Sequence, residues 1–515
     1  MGKHTRVSRR AVMAGLGATA VAGLSGAGRA LSATVRTRYD IKTPQGRAML
    51  NSYREAVGKM RALPESNPLS WNFQANIHAH PYTEEQAQAL FADAPAAVKL
   101  MALGANADGV GGIWWTCSHD HNNLSGTPAD SYSTHFTSWH RLYLWHFERI
   151  CEKVLGRPFA LPYWNYLDLT QLKLPPAVVA PRLREGGRWL DNALYFPDRR
   201  PEFVSAGLRA IKGDPGDTDI LALQTMKTKA FFDLSTSNGG FRQGFVTALD
   251  GSPHGTVHTR VGTDTGAGMG SFESAARDPV FWMHHCNIDR LWESWRAPNI
   301  DGVSEKDPKA PKASAWLNKQ FTFAGPDGMP SVKRARDALS LPDLGYRYDR
   351  LQPVGLIAFA APNAEQSVVK VTTIAETAPG AGATVGAGNQ SVTMPLAPTL
   401  PAGEMTSLAR DPGNAFWLII EVETSRNPAS LFVVTIKGSR HGAPVDQPVQ
   451  TFSLFNAGMQ QRRGAAYATS WQADISELVR GGGVDLTKEV EVTVKPVAGD
   501  ASGIVRVKAM RVEAQ

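Results

Sequence analysis

The sequence predicts a mainly α-helical core followed by a β-rich C-terminal domain. Three observations carry this. Apolar residues recur at helical spacing in "FTSWHRLYLWHFERI" (residues 136–150) and "DPVFWMHHCNIDRLW" (278–292), the period of buried or half-buried helices. Residues 366–515 instead alternate apolar and polar positions, as in "LFVVTIKG", "VEVTVKPV" and "IVRVKAMRV", the period of strands. Histidine is unevenly placed: eleven of the 13 lie between His78 and His285, so one domain holds whatever chemistry they perform.

The chain has 515 residues, 43% hydrophobic and 20% charged. That is too long for one ordinary domain, and two or three are expected. The opening "SRRAVMAGLGATAVAGLSGAGRALSAT" pairs Arg9 with Arg10 ahead of a Gly/Ala-rich apolar stretch. Ala30 and Ser32 then stand at the −3 and −1 positions of a cleavage site. This reads as a twin-arginine export signal over residues 1–32. The stretch is too short and glycine-rich for a membrane anchor, and Arg29 interrupts it. No other segment reads as a membrane span. Residues 1–32 hold five basic residues and no acid, so without them the formal charge of +7 falls to +2. No basic patch studded with aromatics exists, which argues against a nucleic-acid partner. Three cysteines, Cys117, Cys151 and Cys286, cannot build a disulfide framework.

Within the histidine-rich region, "PHGTVH" spaces His254 and His258 four apart. On a helix both imidazoles would share one face, with Pro253 near its start. Gly255 stands where a zinc-protease motif needs glutamate. His146 lies six positions beyond His140 and is rotated away from it, as a packing or surface residue would be. His284 and His285 are about 100° apart on a helix, so at most one is expected as a ligand. Asp289 could orient a ligand imidazole or pair with Arg141, Arg149 or Arg290. Many neutral imidazoles without an interleaved carboxylate suit copper or zinc rather than magnesium, calcium or manganese. The lack of a bridging carboxylate favours copper, and two ions would use six histidines.

"HFTSWHRLYLWHFE" and "DPVFWMHHCNIDRLW" resemble the two copper signatures of tyrosinases, catechol oxidases and other polyphenol oxidases. In the second signature the ligand is the latter of the paired histidines. The resemblance therefore implies His285 as ligand and His284 as its neighbour, with "PHGTVH" supplying His254 and His258. For the first site it implies His140 and, in "QANIHAHPY", His78, with His80 as a bystander. The remaining ligand normally sits nine residues before His140, where this chain has Ser131. "CSHDHNNLSGTPADSYSTH" looks like an insertion there. Cys117-Ser118-His119 resembles a Cys-x-His whose sulfur is bonded to the ligand ring. His119 is the expected third ligand, with His121 and His135 as alternatives.

"ASAWLNKQFTF" and "RARDALSLPDLGYRYDRL" resemble the short domain that follows the copper domain in plant-type enzymes. The implied organisation is a dicopper domain at 40–305, a short middle domain or linker at 306–360, and a β-rich domain at 361–515 able to shield the active site. The copper domain is expected as an antiparallel helix bundle with both ions between its helices. The implied activity is oxidation of o-diphenols or o-aminophenols by O2 to o-quinones. Two coppers would serve, with phenolic small molecules and O2 as partners and no organic cofactor. Phe272 takes the place of a phenylalanine that overhangs one copper. Asp250 takes that of a glutamate that orients a water. Gly255 replaces an asparagine associated with monophenol hydroxylation, so a monophenol-hydroxylating tyrosinase is the alternative. A reversible dioxygen carrier is the alternative from another class.

Overall fold

The computed structural model describes residues 35–515, apart from 106–111, 118–134, 209–222, 229, 264, 266, 297–312, 354–367, 441–442, 456 and 458–465. The expected export signal at 1–32 and the candidate ligands His119 and His121 lie outside the described residues. Residues 35–515 belong to one compact unit built on two large hydrophobic cores.

The first core is helical. Helix α1, Pro44–Arg61, starts from Thr43, whose side chain accepts the Gly46 N–H, with Pro44 in the first turn. Helix α2, Trp71–His78, is capped in the same way by Ser70. Helix α3, Phe136–Leu155, ends at Gly156, whose left-handed backbone lets its N–H reach the Glu152 carbonyl. After the short helix α4, Thr256–Val261, comes α5, Pro279–Arg296. The Asp-Pro pair defines its start: Asp278 accepts the Val280 N–H at 2.8 Å and is itself held by Arg199. Helices α1 and α5 pack against α3, joined by aromatic contacts such as Trp282 stacked on Phe147 with centroids 3.6 Å apart.

The segment read as a middle domain is part of this core. Trp316, Phe321, Phe323, Tyr346 and Tyr348 are buried in it, and Tyr346–Tyr348 pairs in parallel with Arg36–Arg38. A buried ionic network seals the junction. Arg38 bonds Glu148 on α3 and Asp289 on α5; Asp289 also pairs with Arg141 and accepts from Tyr346 and Tyr348. Asp289 therefore joins helices through Arg141 and Arg38, and its expected alternatives Arg149 and Arg290 are engaged elsewhere.

The second core lies in a nine-stranded sheet whose strand pairings are all antiparallel. Within it the strand Val505–Ala514 pairs with Phe416–Thr424 on one side and Thr372–Glu376 on the other. The apolar alternation read from the sequence is the inward face of these strands. This sheet docks on the helical core. Glu513 receives Arg242 at 2.9 Å and Asn238 at 2.7 Å. Gln472 exchanges hydrogen bonds with Gln243 and Phe241, and Asn427 donates to the Gly270 carbonyl. No described helix is long and apolar enough to cross a membrane.

Candidate metal centre

Two groups of buried side chains converge between α2, α3, α4 and α5. His254, His258, His284 and His285 form one, and His78, Cys117 and His140 the other; within each, the potential ligand atoms lie within 4.8 Å of one another. The histidines are at most 2% exposed and Cys117 is 7% exposed. The groups adjoin: the rings of His140 and His285 stack with centroids 4.4 Å apart and planes 14° apart.

Local backbone geometry sets the direction of each imidazole. His140 Nδ1 bonds the Phe136 carbonyl one turn back at 2.8 Å, and His78 Nδ1 bonds the Phe272 carbonyl at 3.2 Å. His258 Nδ1 bonds the Met269 carbonyl at 2.8 Å. That carbonyl can come so close because Gly262 and Gly270 meet backbone to backbone; a Cβ on Gly262 would lie 1.9 Å from the Gly270 nitrogen. His254 Nδ1 lies 3.1 Å from the Asp250 carbonyl and 2.8 Å from its carboxylate. A carbonyl partner fixes the proton on Nδ1 and leaves the Nε2 lone pair for a metal. The His258 Nε2 freed in this way stands 3.3 Å from His285 Nε2, close enough for one cation to be held between the two nitrogens. Burial, reinforced by neighbouring imidazoles, holds His258, His284 and His285 well below the ordinary histidine range. They are neutral at pH 7, the form that binds metal.

The backbone at "PHGTVH" departs from the simple helical reading. Asp250–Gly255 is an irregular turn in which Ser252 is extended, and only from Thr256 does α4 begin. The two rings still meet, with centroids 4.5 Å apart. Asp250 contacts His254 directly, its carboxylate 2.8 Å from Nδ1.

The 100° between His284 and His285 does not send them to separate places. His284 lies parallel to His254 at 5.6 Å and packs against Tyr166, while His285 reaches across to His140. Both ring edges enter one pocket because His254 and His258 approach from the facing segment. His80 sits among Tyr82, Trp114 and Trp115, apart from both groups. His135 stacks on Trp316, and His146 stacks on Phe323 and bonds Ser331. Burial lowers His135 to about 3 and His146 to about 4; neither joins a described ligand group.

Phe272 packs over the His78 ring at 4.5 Å. A second aromatic was not anticipated from the sequence. Phe455, carried by the C-terminal domain just after the strand Ala443–Ser453, is buried in the helical core. It stacks on His258 with centroids 4.0 Å apart and planes 16° apart, and lies 5.8 Å from both His254 and Phe272. Ser453 ties its loop to α4, bonding Thr259 at 2.6 Å and accepting the Phe455 N–H. Its only sequence signal is an aromatic in a loop.

Residues 68–298, which include every described ligand candidate, match the family model for the common central domain of tyrosinase. Residues 68–298 therefore carry a tyrosinase-type central domain. The chain is 28% identical over 337 residues to a tyrosinase of Hahella sp. (strain CCB-MM4), covering 59% of this chain and 61% of that one. It is also 28% identical over 337 residues to the chloroplastic polyphenol oxidase of Spinacia oleracea, covering 60% and 46%. The chain thus spans roughly half to three fifths of these relatives. The whole fold, sheet domain included, is shared with latent aurone synthase (TM-score 0.55, 21% identity, 93% and 90% coverage). Latent apple tyrosinase matches similarly (TM-score 0.55, 19% identity, 93% and 97% coverage). Tyrosinase-family proteins bind two copper ions, and the converging imidazoles, with no carboxylate in either group, are donors that suit copper.

Proposed function

We propose that the chain is a two-copper phenol oxidase that converts o-diphenols, or o-aminophenols, to o-quinone products with O2, and that its C-terminal domain restrains it. The observation that carries this reading is the pair of buried imidazole groups joined by the His140–His285 stack. His254, His258 and His285 would hold one copper, and His78 and His140 the other, with His119 the expected third ligand. Bound copper would supply the O2 and electron-transfer chemistry. The protein's part is to keep imidazoles neutral, hold their Nε2 atoms inward and exclude water. Asp250 orients His254, His284 backs the second group, and Phe272 forms one wall over the first.

Two features favour diphenol oxidation over monophenol hydroxylation. Asp250 is engaged with His254, and Gly255 offers no side-chain amide. Phe455 occupies the stacking face of His258, where a planar substrate ring would lie. The two structures that share both domains are of latent proteins, which supports the restraining role. The Arg9-Arg10 segment supports export. The test is metal analysis followed by O2 uptake on a panel of catechols, o-aminophenols and monophenols. Two coppers per chain with catechol turnover is expected. A two-copper protein that binds O2 reversibly, and turns over no phenol even after removal of the sheet domain, would be a carrier instead.

A further inference from the structure

We infer that the two-stranded ribbon Arg182–Asp191 is a docking surface for anionic phospholipid, by which the protein rests on a membrane without crossing it. The ribbon pairs Arg182–Glu185 with Arg188–Asp191. Gly186 at φ 54° and Gly187 at φ 82° close it, the two left-handed positions of a tight hairpin turn. A Cβ on either glycine would meet nothing described within 4 Å, so the turn faces outward.

Trp189 is 59% exposed and Leu190 48%. Among the described residues they are the only adjacent pair of large apolar side chains so exposed; such side chains scattered singly are ordinary. Neighbours on a strand point to opposite faces, so apolar surface is bare on both sides of the ribbon. A partner protein would cover one side. The headgroup layer of a bilayer surrounds such a ribbon and takes both.

Charge selects the lipid. Arg182 pairs with Asp191, and Glu185 with Arg54 on α1. Arg184 and Arg188 are exposed and form no ion pair among the described residues. Arg184 stands across the ribbon from Trp189, and Arg188 precedes it. An arginine can lay its stem along apolar surface while its head reaches a phosphate, and a tryptophan settles at the headgroup level. The three side chains together match an anionic interface.

The test is flotation of the full chain with vesicles of phosphatidylcholine alone, or mixed equally with phosphatidylglycerol. Binding to the mixed vesicles only, reversed by high salt, is expected, and this comparison needs no variant to fold. Arg184→Ala and Arg188→Ala should each weaken binding about 5-fold, the worth of one arginine near an anionic surface, and Trp189→Ala roughly 10-fold. Arg410→Ala, an exposed arginine at the end of the helix Ala402–Arg410, should change nothing. Equal binding to both vesicles, binding to neither, or binding undiminished by the three substitutions would overturn the inference. So would capture by dextran sulfate in place of vesicles, the mark of a polyanion site. Self-association that Trp189→Ala abolishes, again in place of vesicle binding, would make the ribbon a contact between copies instead.

Discussion

His285 is the residue on which the two ligand groups meet. It stacks on His140 and faces His258, so His285→Ala is expected to lose the second copper and nearly all diphenol oxidation. His284→Ala should keep two coppers per chain and alter rate or substrate preference; metal analysis beside O2 uptake decides, and the reverse pattern would mean His284 is the ligand. Asp250→Ala removes the carboxylate from His254 Nδ1 and should weaken metal binding at that group by about 10–100-fold, the usual effect of losing such a partner, read by competition with a chelator. Residues of this kind were open to sequence reading in unequal degree. His254, His258 and His285 stand in short segments whose spacing survives folding, and they do converge. Asp250 was placed near the site but not onto the imidazole it contacts, because an extended Ser252 redirects the turn. The sulfur of Cys117 beside His140 depends on backbone bonds from Trp115 and Thr116 to Asn76 and Ile77 that no local pattern announces.

Helices α3 and α5 carry three of the ligand-group histidines, and what ties the helices together is the network around Asp289. Burial pushes this carboxyl up, but Arg141 and Arg38 outweigh it and hold it below the ordinary range. Asp289→Asn leaves two buried guanidiniums short of a counter-charge and should cost about 3–5 kcal/mol, the range for breaking a buried pair, measured by denaturant unfolding. The pH dependence follows the same sign. A carboxyl with a depressed folded value contributes its stability above its unfolded value near 4 and loses it only as pH falls through the lower folded value. Wild type should therefore shed stability on acidification below about pH 4 more steeply than the variant. Such elements were legible where apolar residues recur at helical spacing, as over residues 278–292. Strand order in the sheet was not, since alternation tells which face is inward and nothing about which strand lies beside Val505–Ala514.

The described residues form two large cores, and Phe455 leaves the sheet domain to be buried in the helical one. Truncation near residue 360, or Phe455→Ala in the full chain, should raise kcat/KM for bulky diphenols; an unchanged value in a folded, two-copper variant would reduce the domain to support. Acid should act in the same direction. Glu513 is raised by burial but held below its usual range by Arg511, Asn238 and Arg242, so its contribution to docking is present at neutral pH and lost as pH falls below about 4. Enzyme exposed to that range and returned to neutral buffer for assay should show a transient gain in activity, absent in Glu513→Gln. The same lid has a second consequence, for traffic of the ion rather than of the substrate. With every described ligand buried and Phe455 lying on His258, the restraint proposed above would let copper enter or leave freely only when the domain lifts. Exchange then becomes a gated process limited by a rare opening. Stripping by a strong chelator should follow a single rate that stops rising as chelator is added, because the rate is that of the opening itself. In Phe455→Ala the same experiment should give a faster rate that keeps climbing with chelator concentration.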